Sequence, residues 1–335
     1  MSKWLVNGLI PVGHTVLLLG QPQSLKSWLD EELAVCVAAG KRFLGSEGFA
    51  VQKGSVILID EDTPTDTLEE RLTRLCSGFD VDLASIPLDV RSMQGFSLND
   101  DKQIKALKND IGHMNPPILI IVDSLSSVMG QWNENTSSDA TKVALRWNEL
   151  KARGATLLII HHMSLKKPGS YRDFDFTGLA MGSTYLIAKC DTAIGLWRIP
   201  PEKPTRFVLK PKPRRQKLLV NNPFGVQLLE PDDGSWAQLT LLDELPAQPS
   251  ELAKRIFPLF YSDNVSEVTV QQVIDMVGKD AAESDVREAL HELEAEQVLI
   301  RDVGQGRAHR FQYKLNPDFV NQYVATTSYW DELIS

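Results

Sequence analysis

Continuously apolar runs punctuate the N-terminal part of the chain at residues 15–20 (Thr-Val-Leu-Leu-Leu-Gly), 55–60 (Ser-Val-Ile-Leu-Ile-Asp), 118–123 (Ile-Leu-Ile-Ile-Val-Asp) and 156–161 (Thr-Leu-Leu-Ile-Ile-His). Runs without alternation are the pattern of parallel strands covered on both faces. Longer amphipathic stretches lie between them, so the pattern predicts an α/β fold with a mostly parallel central sheet. Each run ends in Gly, Asp or His, at the carboxyl edge where open α/β sheets bind ligands. One more strand is predicted at 192–197, with an antiparallel extension at 206–209 and 226–230; the prolines from Pro200 to Pro213 exclude a long helix there. The pattern breaks at 245–250, Leu-Pro-Ala-Gln-Pro-Ser, which reads as a linker. Beyond it the periodicity predicts helices at 251–261, 269–277 and 284–297, then a hairpin of 298–302 and 309–315 around Gly304-Gln-Gly306. The expected organisation is a first domain over 1–244, the linker, a second domain over 251–317 and a tail over 318–335.

Composition narrows this picture. At 335 residues the chain exceeds the usual single core. Hydrophobic residues at 43% and charged residues at 24% are ordinary for a globular protein, and no segment reaches the ~18 apolar residues of a membrane helix. The start lacks the basic, apolar and small-residue succession of a signal peptide, so a cytoplasmic location is expected. Cys36, Cys76 and Cys190 are widely spaced and odd in number, which suits reduced buried thiols better than a disulfide framework or a zinc site. A net charge of -9 argues against a protein that coats nucleic acid through bulk positive charge, leaving local patches for any such contact.

The segment Gly20-Gln21-Pro22-Gln23-Ser24-Leu25-Lys26-Ser27 leaves one predicted strand and enters a predicted amphipathic helix over 27–39. That is the context of a P-loop, whose inward backbone N–H groups and helix amino end cradle phosphates. The stretch through Trp28 is expected to wrap a triphosphate, with Lys26 on the outer phosphates and the Ser27 hydroxyl on Mg²⁺. Leu25 stands where the motif has its second glycine; a side chain there crowds the loop or demands different dihedrals. Asp123, ending its apolar run, fits a carboxylate that holds the magnesium shell from a neighbouring strand. Glu61 follows the run 55–60 and fits a group that orients or deprotonates the attacking water, a role Asp60 or Asp62 could equally hold. His161 and His162 end the next run, placed to sense the terminal phosphate or relay its loss; two in succession favour a polar switch over a structural histidine.

Taken in order, these residues resemble the RecA-like ATPases of the plasmid RepA hexameric-helicase type, a group also close to the DnaB and KaiC-like proteins. The likeness spans roughly residues 1–230. It includes the lead-in Trp4-Leu-Val-Asn-Gly-Leu-Ile-Pro-Val-Gly13, then Ile59-Asp-Glu-Asp-Thr-Pro64 with the Arg-Leu-rich stretch 68–75, and later Asp123-Ser-Leu-Ser-Ser-Val128 and His161-His-Met-Ser-Leu-Lys166. It implies a RecA-like P-loop NTPase core, ATP and Mg²⁺ as cofactors, and Glu61 as the catalytic glutamate. It also implies a homo-oligomer, as a hexameric ring or filament. Met181-Gly-Ser-Thr-Tyr-Leu186 is similar to the family's Arg-Gly-Ser-Ser-Ala-Leu segment, with Met181 in place of its arginine. Lys212-Pro-Arg214 resembles the Lys-x-Arg element that such rings extend into the neighbouring subunit's ATP site, where a basic side chain stabilises charge on the transferred phosphoryl group. By that likeness Lys212 and Arg214 act in trans; residues 210–217 equally read as a solvated basic stretch.

Residues 164–178, with Lys166, Lys167 and Arg172, lack apolar periodicity and read as a loop. In RecA-like proteins such a loop resembles the DNA-contacting loop at the ring centre, which implies single-stranded DNA as a partner. The C-terminal elements resemble a small winged-helix domain. From Leu245 onward there are 8 basic and 15 acidic residues, a net of -7, which leaves -2 for the rest. The third helix of that domain is acidic and would be repelled by phosphates. Positive charge gathers instead at Arg301, Arg307, His309 and Arg310, so a protein partner is favoured over groove reading. The leading functional expectation is an oligomeric Mg-ATP hydrolase working on single-stranded DNA as a helicase-like motor in replication or recombination. The alternatives are an ATP-dependent recombination mediator or strand-annealing protein without unwinding, and a nucleotide-dependent DNA- or protein-binding regulatory module.

Overall fold

The computed structural model describes residues 3–22, 24–163, 176–182, 184–199, 205–243, 251–262, 268–278, 281–295, 298–303 and 311–317. The chain divides into two compact units, Met1–Arg198 with Phe207–Leu245, and Pro246–Ser335 with Ile199–Arg206. The elements of the first part of the chain are β1 (Trp4–Val6), β2 (Ile10–Pro11), β3 (Thr15–Gly20), α1 (Lys26–Ala39), β4 (Ser55–Asp60), α2 (Thr65–Gly78), β5 (Leu88–Ser92), α3 (Asp101–His113), β6 (Ile118–Asp123), α4 (Leu125–Val128), α5 (Ser137–Lys151), β7 (Ala155–His162), α6 (Thr184–Lys189), β8 (Thr192–Ile199), β9 (Arg206–Pro213), β10 (Phe224–Leu229) and β11 (Gln238–Leu241).

The main sheet is nine-stranded, in the order β11-β10-β9-β8-β3-β7-β6-β4-β5. From β8 through β5 every pairing is parallel, and β10 pairs with β11 antiparallel. The apolar runs predict the central strands because β3, β4 and β6 are buried at every position. A strand covered on both faces has no room for polar alternation. The Arg214 N–H donates to Asp191 O, just before β8. β9 therefore returns antiparallel to β8 and ends at the sheet edge where β3 and β8 begin.

The helices follow their own periodicity. α2 buries Leu68, Leu72 and Leu75 on one face, and α3 buries Ile104, Leu107 and Ile111 behind an Asp100 cap that accepts from the Lys102 and Gln103 amides. α1 departs from expectation. It is not amphipathic, because every residue from Leu29 to Ala38 is buried, Asp30, Glu31 and Glu32 included. The core beneath it gathers Leu33, Val37, Phe43, Leu72, Leu119 and Phe207. Glu32 is tied into that core: its Oε1 accepts from Leu44 N at 3.2 Å and its Oε2 from Leu239 N. Cys36, Cys76 and Cys190 are buried free thiols.

The second unit contains α7 (Glu251–Ser262), β12 (Val268–Thr269), α8 (Val270–Val277), α9 (Glu283–Ala295), β13 (Leu299–Val303) and β14 (Phe311–Leu315). Its strands are ordered β12-β14-β13, both pairings antiparallel. Phe257, Phe260, Val273, Leu290, Leu293 and Tyr313 form its core. Thr269 and Gln272 make a reciprocal capping box that starts α8. The short strand β12 had no counterpart in the sequence reading, and Arg307, His309 and Arg310 lie outside the described residues. Among the described residues no helix is long and apolar enough to cross a membrane.

Candidate nucleotide site

Register brings the polar strand ends to one edge of the sheet. Gly20 pairs with His162 across β3 and β7, and Asp60 with Asp123 across β4 and β6. The loop from Gly20 to Ser27 rises from that edge. A Cβ on Gly20 would lie 2.4 Å from Ser24 Oγ, so a larger residue would displace that side chain where the loop folds back on its strand. Leu25 has φ 65 and ψ 26, in the left-handed region, and caps α1. The backbone shape that the missing glycine would supply is thus present. A leucine holds it at a strain of about 1–2 kcal/mol, while its half-buried side chain packs against the core around α1.

Lys26 Nζ donates to Gln21 O at 2.7 Å and is only 7% exposed. Burial pulls its pKa down, opposed by Asp123, Asp30 and Asp62. Ser27 Oγ donates to Asp123 Oδ2 at 2.7 Å. Burial and the neighbouring Asp60 push Asp123 up to about 6, with Ser27 and Lys26 opposing. The loop lysine, the loop hydroxyl and the strand-end carboxylate that the sequence singles out therefore share one locus.

The acidic loop after β4 sorts its three carboxylates. Asp60 is buried and accepts from the amides of Asp62 at 2.8 Å and Thr63 at 2.7 Å. Glu61 accepts from three successive backbone amides, Gln94 at 3.1 Å, Gly95 at 3.0 Å and Phe96 at 2.9 Å. Its carboxylate is the guest of an anion-binding nest. The fold engages Glu61 in the loop after β5, through these three amides. Asp62 is exposed, accepts from Ser127 Oγ, and acts electrostatically on Lys26, Asp123 and His162.

His161 Nε2 donates to Met181 O at 2.8 Å, and burial lowers its pKa, which leaves a neutral ring. His162 is half-buried and lowered first by burial and then by Lys26, so it too is neutral beside the loop. Trp28 lies in the first turn of α1. Its ring lies under the guanidinium groups of Arg71 at 6.0 Å and Arg74 at 5.3 Å, on α2. Lys212 Nζ reaches Thr177 Oγ1 at 3.4 Å. Arg214, exposed, sits at the sheet edge opposite Gly20. Gln23, Lys166, Lys167 and Arg172 lie outside the described residues. Sequence reasoning passed over Asp30 and left Asp62 as one of three choices; the signal for Asp30 was an acidic triplet inside an otherwise apolar helix.

The residues fit a magnesium nucleotide. Ser24 Oγ is buried in the loop without a hydrogen-bond partner, and a buried orphan donor beside a lysine awaits an acceptor. Among the described residues no group of three or more His, Cys, Asp or Glu side chains is arranged to hold a metal. Ser27 and Asp123 would leave the remaining positions of a bound ion to phosphate and water, as magnesium prefers.

Residues 2–167 match the family model of the AAA domain. The AAA-domain match takes in the loop Gly20 to Ser27, the acidic loop after β4, Asp123 and both histidines. It supports a P-loop ATPase of the AAA type, and with it nucleotide binding and hydrolysis. Arg172, Lys212, Arg214 and the second unit lie beyond it. The chain has no match among curated proteins.

Proposed function

We propose that the chain is an oligomeric Mg-ATP hydrolase acting on single-stranded DNA, a helicase-like motor in replication or recombination. The observation that supports hydrolysis most directly is the meeting of Ser27, Asp123 and Lys26 at the end of β3 and β6. When ATP enters, Lys26 exchanges the Gln21 carbonyl for the outer phosphates, and the loop amides take the rest of the chain. Ser27 and Asp123 would hold magnesium, which supplies positive charge to the phosphate oxygens. Asp62 orients the attacking water, being the exposed carboxylate whose charge acts on Lys26 and Asp123. His162 reads the terminal phosphate. His161, bonded to Met181 O, passes the change to the chain on the far side of residues 164–175.

The motor reading draws its support from placement. Residues 164–175, with Lys166, Lys167 and Arg172, are bracketed by the Met163–Ala180 bridge next to the histidines, where a nucleotide-driven change would move them against a DNA backbone. Arg214 lies at the edge opposite its own loop, which suits a group that serves a neighbouring subunit. Three helices with a small antiparallel sheet in the second unit suit a winged-helix fold whose acidic α9 favours a protein partner. One observation favours a second reading: with Glu61 held by three amides, a nucleotide-dependent regulatory module of slow turnover is the runner-up. Phosphate release with and without single-stranded DNA, native mass with and without a non-hydrolysable ATP analogue, and unwinding of a forked duplex decide. DNA-stimulated release, assembly and unwinding are expected. Tight ATP binding with neither stimulation nor assembly selects the regulatory module, and stimulation without unwinding selects a strand-annealing protein.

A further inference from the structure

Among the described residues near Asp123, Asp30 is the buried acid with neither a hydrogen bond nor an ion pair. It is 1% exposed, and neither carboxylate oxygen makes a hydrogen bond. The Glu31 amide contributes a weak favourable field without hydrogen-bond alignment. Its neighbours are each provided for. Glu31 Oε1 lies 3.0 Å from Arg71 Nη1 as an ion pair. Asp60 accepts two backbone amides. Asp123 accepts from Ser27. The charged groups that push Asp30 up are Asp123 first, then Glu31 and Asp60, all of its own sign, with the Lys26 cation nearby on the opposite side of the balance.

Helix geometry says where this group points. Asp30 follows Ser27 by three residues and Lys26 by four on α1. Side chains on a helix tilt toward its amino end. The Asp30 carboxylate therefore reaches back under the turn that presents Lys26 and Ser27, and its charge acts on Lys26. A buried, unpaired carboxylate facing like charges is among the costliest placements in a protein. Lys26, the cation whose charge meets both Asp30 and Asp123, donates to Gln21 O, so the Asp30 oxygens are left without a hydrogen-bond donor. A hydrated divalent ion supplies one, because magnesium retains several waters and each donates hydrogen bonds outward.

We infer that Asp30 is a positioning residue of the magnesium site, accepting a hydrogen bond from a water of the ion held by Ser27 and Asp123. This rests on the reading of the first unit as a Mg-ATPase. It adds to that reading a residue that makes the ligand-free protein less stable and the metal-loaded one more rigid. Partners of this kind fix metal-bound groups in orientation, and their loss costs about 10- to 100-fold in metal affinity.

The test compares the parent with Asp30→Asn and Asp30→Leu, using calorimetric titration with ADP in EDTA and in Mg²⁺, and thermal melting in EDTA. In EDTA, ADP affinity is expected to be the same for all three proteins. In Mg²⁺ the parent gains affinity, and the variants lose about 10- to 100-fold of that gain, more for leucine than for asparagine; raised Mg²⁺ restores it. Without ligand Asp30→Leu melts about 2–4 °C higher, since a buried carboxyl without a hydrogen-bond partner has been removed. Should Asp30→Leu not fold, the near-isosteric Asp30→Asn decides. A variant that keeps the whole Mg²⁺ gain overturns the inference while leaving the ATPase reading standing, and so does an equal loss in EDTA. A parent that binds no ADP in either condition overturns both.

Discussion

Ser27 Oγ and Asp123 Oδ2 lie 2.7 Å apart, joining the first turn of α1 to the carboxyl end of β6. Ninety-six residues of chain separate them, so the contact exists only because the sheet places β6 two strands from β3. A hydroxyl and a carboxylate so placed would together hold a magnesium ion beside the phosphates. Asp123→Asn keeps the shape and removes the charge. Mg²⁺-dependent phosphate release is expected to fall about 10²- to 10³-fold, with nucleotide binding in EDTA unchanged. Undiminished release would place the metal elsewhere.

The proposal gives the attacking water to Asp62 in preference to Glu61. Asp62→Asn should lower kcat about 10²- to 10⁴-fold, the usual worth of a positioned base. Glu61→Gln puts an amide where three N–H groups need acceptors; it should destabilise the fold by about 1–3 kcal/mol, with a smaller effect on kcat. Urea unfolding and steady-state hydrolysis separate the two. Loss of turnover in Glu61→Gln alone, at parental stability, would return the role to Glu61.

The left-handed Leu25 makes a sharper claim about the loop. Because the backbone already has the dihedrals a glycine would give, Leu25→Gly is expected to leave ATP affinity near that of the parent. Relief of about 1–2 kcal/mol of strain is offset by lost packing against the core and by the flexibility of glycine. A rise in ATP affinity of about tenfold, 1.4 kcal/mol, would show instead that the leucine side chain obstructs the cradle.

Burial raises Glu32 from 4.5 to about 8, against the pull of the Leu239 and Leu44 amides. A group whose folded pKa lies above its unfolded value adds stability that is fully present below the unfolded value and lost as pH rises through the folded one. The melting temperature should therefore decline between about pH 4.5 and pH 8 from this group. Asp30 and Glu31, also raised by burial, act in the same direction. Glu32→Gln should flatten the decline; an unchanged slope would mean that Glu32 does not titrate in that window.

The parts of the fold legible in the sequence were those where one physical signal dominates. Two-sided burial gives unbroken apolar runs, so β3, β4, β6 and β7 announce themselves. β5 does not, because Leu88–Ser92 mixes charge with half-buried positions at the sheet edge. β11 is short and only partly buried. β9 is expected over 206–209 but runs on through Pro211 and Pro213, residues that argue against a strand until its neighbours are known. At the site, Lys26, Ser27 and Asp123 were legible because their chemistry is tied to strand ends. The choice among Asp60, Glu61 and Asp62 was not, since it depends on amides 94–96, thirty-odd residues away and without a side-chain signature. Asp30 was hidden for a related reason: an acidic residue in a helix suggests solvent, and only the packing of α1 on every side removes it from water.

Lys26→Ala offers the most direct trial of the nucleotide site. Release of phosphate from Mg-ATP, with and without single-stranded DNA, is expected to drop at least about 10²-fold relative to the parent, while the folded state persists, since Lys26 bonds only a loop carbonyl. A folded Lys26→Ala protein that hydrolyses ATP as fast as the parent would contradict the assignment of this loop as the site of hydrolysis.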